Sequence, residues 1–493
     1  MRCTQACRGP HRRTKVEKLF KLSENKTNVR IETIAGVTTF LTMSYIIFVQ
    51  PAILSIPMVS QWTGAPGDTP DYFGSIFMAT CIASAIATLL MAFLANYPIG
   101  LAPGMGENFY FAFTVCAAAR LGYSWETALA AVFIAGTAFL ILSLFKFRET
   151  VMDSIPQGLK LAIAGGIGLL IALVGLNYAG IVEQDPEGPL MRLGDPTTPW
   201  AVLSIVGLVI TGTLMARKVR GAILIGLVAT AIIGLFIHGG VDQGSGGSDM
   251  LVRFQGIASA PPSMAPTLFK LDFSKMLSDP RVWEVVFIFF LLEMFDTVGT
   301  LVGVGHAAGL LTPDGKLPRA GQAFIADAAA TSVGALAGTA SVQSYIESST
   351  GVAEGGRTGL TAVVIAIFFI LAIFFSPLVK MIGGGYATVF DSAGHPVVTM
   401  YPIIAAPLVI VGSLMMKGLR EVEWDDPAVA ISAFLTVIIM PLAMSIATGI
   451  AFGFIAYVVI KLLSGKAHQV HWLLYILAAI FILRFAFIPV VFT

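Results

Sequence analysis

The chain has 493 residues, of which 56% are hydrophobic and 12% charged, and its net charge is +1. A soluble domain carries about 25% charged residues, so this chain has too few to cover a water-facing surface, and its composition places it in a bilayer. The balanced charge gives no footprint for nucleic acid, and Cys3, Cys7, Cys81 and Cys116 have no Cys/His pair at a spacing that reads as a metal site or a disulfide framework.

The first 30 residues are polar and basic, from Arg2 and Arg8 to Lys26 and Arg30. They lack the apolar core and cleavage site of a signal peptide and read as a cytoplasmic tail. A spanning helix needs about 20 mostly apolar residues. Such stretches are predicted near 32–54, 73–95, 99–119, 125–145, 157–178, 200–215 and 221–238. After a polar connection over 241–282 they resume near 283–310, 319–338, 339–354, 357–379, 399–416, 427–445 and 446–463. Two groups of seven follow, and an odd number makes the second group enter from the opposite side. The predicted fold is an all-α polytopic membrane protein of about 14 segments arranged as two inverted repeats.

The positive charges orient it. Lys146, Arg148, Arg217, Lys218, Arg220, Lys316, Arg319, Lys417, Arg420, Lys461 and Lys466 all fall on the side of the N-terminus, which is read as cytoplasmic. The loop 55–72 holds Asp68 and Asp71 and is read as external. Arg253, Lys270, Lys275 and Arg281 run against this pattern, in a connection long enough to translocate regardless of charge. The host membrane is a plasma or bacterial inner membrane. In the last apolar stretch, 472–491, Arg484 leaves only about a dozen apolar residues ahead of it, short of a span. Residues 466–493 are therefore predicted as an interfacial helix, with Trp472 and Arg484 near the headgroups and the C-terminus cytoplasmic. The alternative merges 427–463 into one kinked element and makes 472–491 the fourteenth span.

Two segments make poor continuous helices. The third runs Asn96-Tyr97-Pro98-Ile99-Gly100-Leu101-Ala102-Pro103-Gly104-Met105-Gly106-Glu107-Asn108, and the tenth runs from Gly334 to Gly356 as GALAGTASVQSYIESSTGVAEGG. Pro and Gly at this density oppose helix. Irregular chain at membrane depth must sit inside protein or line a cavity. Interrupted segments at matching places in two halves point to a transporter's substrate site; the plainer alternative is a pair of re-entrant structural loops.

Charge inside a span is a functional hypothesis by default. The eighth segment sets Glu293 and Asp296 three apart on one helix face, with Thr297 and Thr300 continuing it and no Lys or Arg in the span. The tenth carries Glu347 beside Ser344 and Tyr345. In the first turn of a half-helix that carboxylate serves as cap, as substrate contact, or as both. The third segment adds Glu107, Asn108 and the run Phe109, Tyr110 and Phe111, whose faces suit a planar ligand and equally suit packing. Asp327, in the Ala-rich ninth segment, is expected to make a helix–helix bond, and His306 to be structural.

These residues carry a family resemblance. RIETIAGVTTFLTMSYIIFVQP (30–51), GMGENFYFAF (104–113), FDTVGTLVGV (295–304) and SYIESSTGVAEGGRTGLTAV (344–363) resemble the AzgA-like purine permeases among the nucleobase–cation symporters, of the nucleobase–ascorbate transporter superfamily. The match runs from about Val16 over nearly the whole chain. It implies the uracil-transporter fold, with a core domain over 31–150 and 283–380 and a gate domain over 151–240 and 381–465. It also implies uptake of adenine, guanine or hypoxanthine by an elevator-like core movement, with a proton as coupling ion, no other cofactor, and a homodimer through the gate. The family's binding acids fall on Glu293 and Glu347, with Asp296 also implicated; its asparagine falls on Asn108, and a pocket tyrosine of the wider fold on Tyr345. Ser344 and Phe109 complete the candidate set. Position 293 is often Asp in the family and position 107 usually uncharged, and both departures bear on which purine is preferred.

A purine base is flat, neutral and rimmed by N–H donors and ring-nitrogen acceptors. A carboxylate accepts two N–H bonds side by side, so Glu293 and Glu347 are assigned to purine edges. Glu293 or Asp296 takes the proton, with Glu107 a further candidate. An anion or other small-solute carrier on the same fold would favour positive charge or bare helix N-termini over acids. A membrane-embedded enzyme would need a nucleophile–base pair or metal ligands such as HExxH, and neither motif is present.

Overall fold

The apolar runs fold as helices: α1 (Val29–Met43), α2 (Ile46–Ser60), α3 (Tyr72–Leu90), α4 (Met105–Tyr110), α5 (Trp125–Leu144), α6 (Gln157–Tyr178), α7 (Pro199–Ala216), α8 (Ala222–Gly234), α9 (Arg281–Ala307), α10 (Ala320–Ala337), α11 (Ser348–Ala353), α12 (Gly359–Ala372), α13 (Ser376–Gly383), α14 (Pro402–Met415), α15 (Pro427–Leu442), α16 (Ile446–Leu463) and α17 (Trp472–Phe487). This computed structural model describes residues 15–63, 68–118, 120–144, 155–184, 191–240, 249–310, 317–390 and 396–487. Cys3, Cys7, Lys146, Arg148, Lys316 and the side chain of His306 lie outside the described set. Among the described residues, nine helical stretches are long and apolar enough to cross a bilayer. Large apolar side chains face outward, Leu463 at 81% and Val209 at 61% exposure. Lipid tolerates such a surface and water does not, so the chain is a multi-pass membrane protein.

Several helices start at a capping side chain. Asn28 accepts from the Ile31 N–H at 3.0 Å, Asp71 from Gly74 at 3.0 Å and Asp426 from Ala428 at 3.0 Å. The packing falls into two groups. Helices α1–α3 and α5 pack with α9–α12, while α6 lies along both α14 and α15 and α7 packs on α8 and α14. The α6–α14 contact is backbone against backbone. A Cβ added at Gly168 would sit 2.6 Å from the Gly412 carbonyl oxygen, and one at Gly412 would sit 2.3 Å from the Gly168 oxygen. Small residues of this kind let membrane helices approach closely.

The first predicted segment is one run in sequence and two helices in the structure. It tightens at Ser44 and Tyr45, where the Ile47 N–H reaches back only to the Ser44 carbonyl, at 3.1 Å. The third and tenth segments break as their composition requires. Each gives a short strand, β1 (Leu101–Pro103) and β4 (Val342–Ser344), followed by a short helix, α4 and α11. Two further two-stranded ladders, β2 (Val182–Gln184) with β3 (Met191–Leu193) and β5 (Tyr386–Phe390) with β6 (Pro396–Met400), join helices and qualify the all-α expectation. β1 and β4 pair antiparallel, Ala102 opposite Gln343. Pro103 pushes Ala102 into extended backbone, and the exchange of bonds satisfies peptide groups that lipid could not. Gly338 ends α10 at φ 91°, and Ala340 holds φ 61° just before β4. A non-glycine residue there costs about 1–3 kcal/mol and persists only where the surroundings fix it.

The C-terminal helix packs along two long helices of the bundle. Phe485 meets Phe452, Phe481 meets Phe454, and the Tyr475 hydroxyl donates to the Ala467 carbonyl. These pairings run in opposite directions along the two chains, so α17 stands antiparallel to α16. It runs antiparallel to α9 as well, through Phe481 on Phe287 and Arg484 on Glu284. The charge that argued against an upright helix is absorbed by that acid in the first turn of α9. α15 and α16 form a tight hairpin closed by Lys461 on Asp426 at 2.8 Å, so 427–463 is not one long element.

Candidate functional site

The broken segments bring their acids to one place. β4 follows α10, and Asp327 of α10 accepts from both the backbone N–H (2.7 Å) and the hydroxyl of Ser344. Its other oxygen accepts from Thr297 of α9. Asp327 thus joins α9, α10 and β4, as a structural helix–helix bond would. On α9, Asp296 next to Thr297 lies within electrostatic reach of Asp327 and Glu347, and Glu293 one turn earlier of Asp327 and Glu107.

Gln343 connects the two broken segments. Its side-chain N–H group donates to Glu107 Oε2 at 3.2 Å, across from β4 to α4, and also to Asp296 of α9. Gly104 leaves room for this: a Cβ there would lie 2.3 Å from Glu107 Oε2 and 2.4 Å from Gln343 Nε2. Glu347 is the N-cap of α11, but its side chain makes no capping bond. It accepts instead from the Tyr45 hydroxyl at 2.8 Å, at the break between α1 and α2. Among the described side chains, no Lys, Arg or His pairs with Glu107, Glu293, Asp296 or Glu347. One oxygen each of Glu107, Glu293 and Gln343 is buried without a hydrogen-bond partner.

The remaining sequence candidates are present but committed. Asn108 exchanges amide bonds with Gln50, whose N–H also donates to the Thr339 carbonyl at 2.7 Å. The Ser344 hydroxyl is held by Asp327. The Tyr345 hydroxyl donates to the Pro103 carbonyl at 2.6 Å, closing β4 onto β1, and its ring leans on Tyr45. Phe109 stacks on Phe113, ring centroids 5.7 Å apart, and lines a narrow cleft with Leu170 of α6 and Met444. Tyr45, Gln50 and Gln343 are the site residues that sequence reasoning missed. Tyr45 and Gln50 sit inside the quoted 30–51 motif, and Gln343 stands four before Glu347 on the broken segment; polar residues in apolar or broken runs are the signal that could have found them.

What the arrangement can do is accept hydrogen bonds from a neutral donor, or take up protons. Free carboxylates without a cation in a low-dielectric site are otherwise costly. Among the described residues, no group of acids, histidines and cysteines is disposed to hold a metal ion.

Comparison with known proteins agrees over the whole chain. The Xan_ur_permease model of the Permease family matches residues 30–452. The guanine/hypoxanthine permease PbuO of Bacillus subtilis is 42% identical over 94% of this chain and 99% of its own. Adenine permease AdeQ of Escherichia coli is 38% identical over 95% of this chain and 96% of its own. Both fit the purine branch that the motifs resemble. Among solved structures, the transmembrane domain of a cyanobacterium bicarbonate transporter, BicA, superposes with a TM-score of 0.56 at 14% identity, over 86% of this chain and 97% of that one. At that identity the likeness is one of inverted-repeat fold.

Proposed function

The chain belongs to the Permease family and is a membrane transporter rather than an enzyme; we propose that it takes up purine nucleobases together with a proton. The observation that carries this reading is the acid site itself. Acceptors without a cation, on two paired broken segments and on α9 beside them, suit a flat neutral base rimmed by N–H donors better than an anion. Glu347 and Glu293 take purine edges, with Asp296 and Glu107 beside them. Asn108, Tyr345 and Ser344 act from behind as the frame, since their polar groups are spent on protein. Phe109 borders the cleft toward α6, where a base would enter.

The same acids carry the proton. Ligand and proton both neutralise a charge that lipid disfavours, which couples their binding. Alternating access follows from the two packing groups. α1–α5 with α9–α12 form a core that carries the whole site, and α6–α8 with α14–α16 form a gate against which it slides. The basic loops support a cytoplasmic N-terminus, and the gate is the surface through which a homodimer would form.

The test is uptake of labelled adenine, guanine, hypoxanthine, uracil and sulfate into cells or proteoliposomes, with and without a protonophore. Purines are expected to accumulate and the protonophore to abolish accumulation. Uptake of sulfate without purines would overturn the reading in favour of an anion carrier, and purine accumulation indifferent to the protonophore would remove the proton.

A further inference from the structure

Gln343 is the one amide at the site whose side chain leaves a buried acceptor free. Its N–H group is spent twice, on Glu107 of α4 and Asp296 of α9. Its carbonyl oxygen is buried and partnerless, in a residue that is 2% exposed. The two carboxylates fix which way the amide faces. Turning it over would set a carbonyl oxygen against carboxylate oxygens and lose both bonds. While both carboxylates are charged, the free oxygen is therefore held as an acceptor and does not rearrange into a donor, as a hydroxyl could.

Two more orphan acceptors accompany it, Glu107 Oε1 and Glu293 Oε1; Ser341 Oγ, beside β4, is the one orphan on these segments that can donate. A site with surplus acceptors is completed by a ligand with surplus donors, because each buried acceptor left unpaired costs about 1–3 kcal/mol. Among purines that surplus comes from an exocyclic amino group. Guanine differs from hypoxanthine by one such group at C2, next to the ring N–H, so that a carboxylate and a neighbouring amide oxygen can accept side by side.

We propose that Gln343 is a specificity-determining residue, held in orientation by Glu107 and Asp296, and that its carbonyl selects purines bearing a 2-amino group. The inference rests on the purine reading of the site. Gly104 is part of the device, since only a residue without Cβ leaves Glu107 and the amide within bonding distance.

The experiment measures half-saturating concentrations for guanine and hypoxanthine, and for 2,6-diaminopurine and adenine, in proteoliposomes. Each pair differs only by the 2-amino group. In the wild type the aminated member of both pairs is expected to be favoured by at least about tenfold, as for a site built to pair an N–H. In Gln343→Met, which keeps the length and removes the amide, both ratios are expected to fall to within about threefold. Because the readout is a ratio, a general loss of rate cancels. A wild type that carries both members of each pair alike overturns the preference, and this arm requires no variant to fold. Ratios unchanged in Gln343→Met overturn the residue assignment. A wild type that carries no purine refutes the purine reading and this inference with it, an outcome distinct from equal transport.

Discussion

Glu32 and two acids of the central site, Glu107 and Glu293, are buried to the same degree and treated in opposite ways. Glu32 is 0% exposed in the first turn of α1, and its carboxylate reaches the start of α12, where it accepts from the backbone N–H groups of Arg357 (3.0 Å), Thr358 (3.3 Å) and Thr361 (3.2 Å) and from the Thr361 hydroxyl at 2.6 Å. Those donors are the free ends of a helix, and the carboxylate is where the dipole favours it. Glu107 and Glu293 are each 1% exposed, yet each keeps an oxygen without a partner. The family resemblance runs through both regions. A buried acid saturated by backbone holds two helices together; a buried acid left with open acceptors is available to a ligand or a proton. Burial alone does not separate these roles, and the donor inventory does.

The largest effect should come from the open side of this contrast. Glu347→Gln keeps the size and the bond from Tyr45 but removes the charge, and is expected to lower purine uptake at least about 100-fold with an unchanged size-exclusion profile. A correctly inserted mutant with wild-type affinity would remove Glu347 from the site. On the saturated side, Glu32→Ala strands three backbone N–H groups, at about 1–3 kcal/mol each. Thermal unfolding in detergent should fall steeply, while the fraction that folds still binds substrate. If transport failed with stability intact, the contrast itself would be wrong.

Finer resolution comes from Glu293→Gln and Asp296→Asn, which should not behave alike. The variant that has lost the proton carrier is expected to keep base exchange and lose pH-driven accumulation, measured as counterflow against net uptake. Identical behaviour of both with wild-type pH dependence would move the proton to Glu107 or Glu347.

Two acids with cation partners make a third class. Glu284 with Arg484 supports an upright α17, so cysteines replacing Lys466 and Ala486 should label with an impermeant reagent from opposite faces of the membrane. Labelling of both from one face would support the interfacial helix instead. The smallest effect is expected at the α15–α16 hairpin. The Lys461 ammonium bonded to Asp426 holds that carboxyl below the ordinary aspartate range. A depressed folded value means that the contribution is full above about pH 4 and is lost as the pH falls through the folded value. Thermal stability followed across that range should drop for the wild type and stay flatter for Asp426→Asn.

The sequence by itself determined the solvent, the helices and the two breaks, because each is a local property. Apolar runs of spanning length can bury their peptide groups in lipid only as helices. Pro98, Pro103 and the glycines around them, packed this densely, oppose a continuous helix whatever surrounds them. The three-residue spacing of Glu293 and Asp296 fixes a shared face before anything packs. The family motifs added the roles of residues already legible as acids. What only the tertiary structure decided is which acids are saturated and by whom. Tyr45 reaches Glu347 across 302 positions, Gln343 reaches Glu107 across 236, and Gln50 reaches Asn108 across 58. Those partners are chosen by the β1–β4 register and the break at Tyr45, and no hydropathy pattern encodes either. The packing of the C-terminal helix is of the same kind. Counted along the chain, Arg484 ends an apolar run; placed beside α9, it meets Glu284, and a charge with a partner is a different object from a charge in lipid.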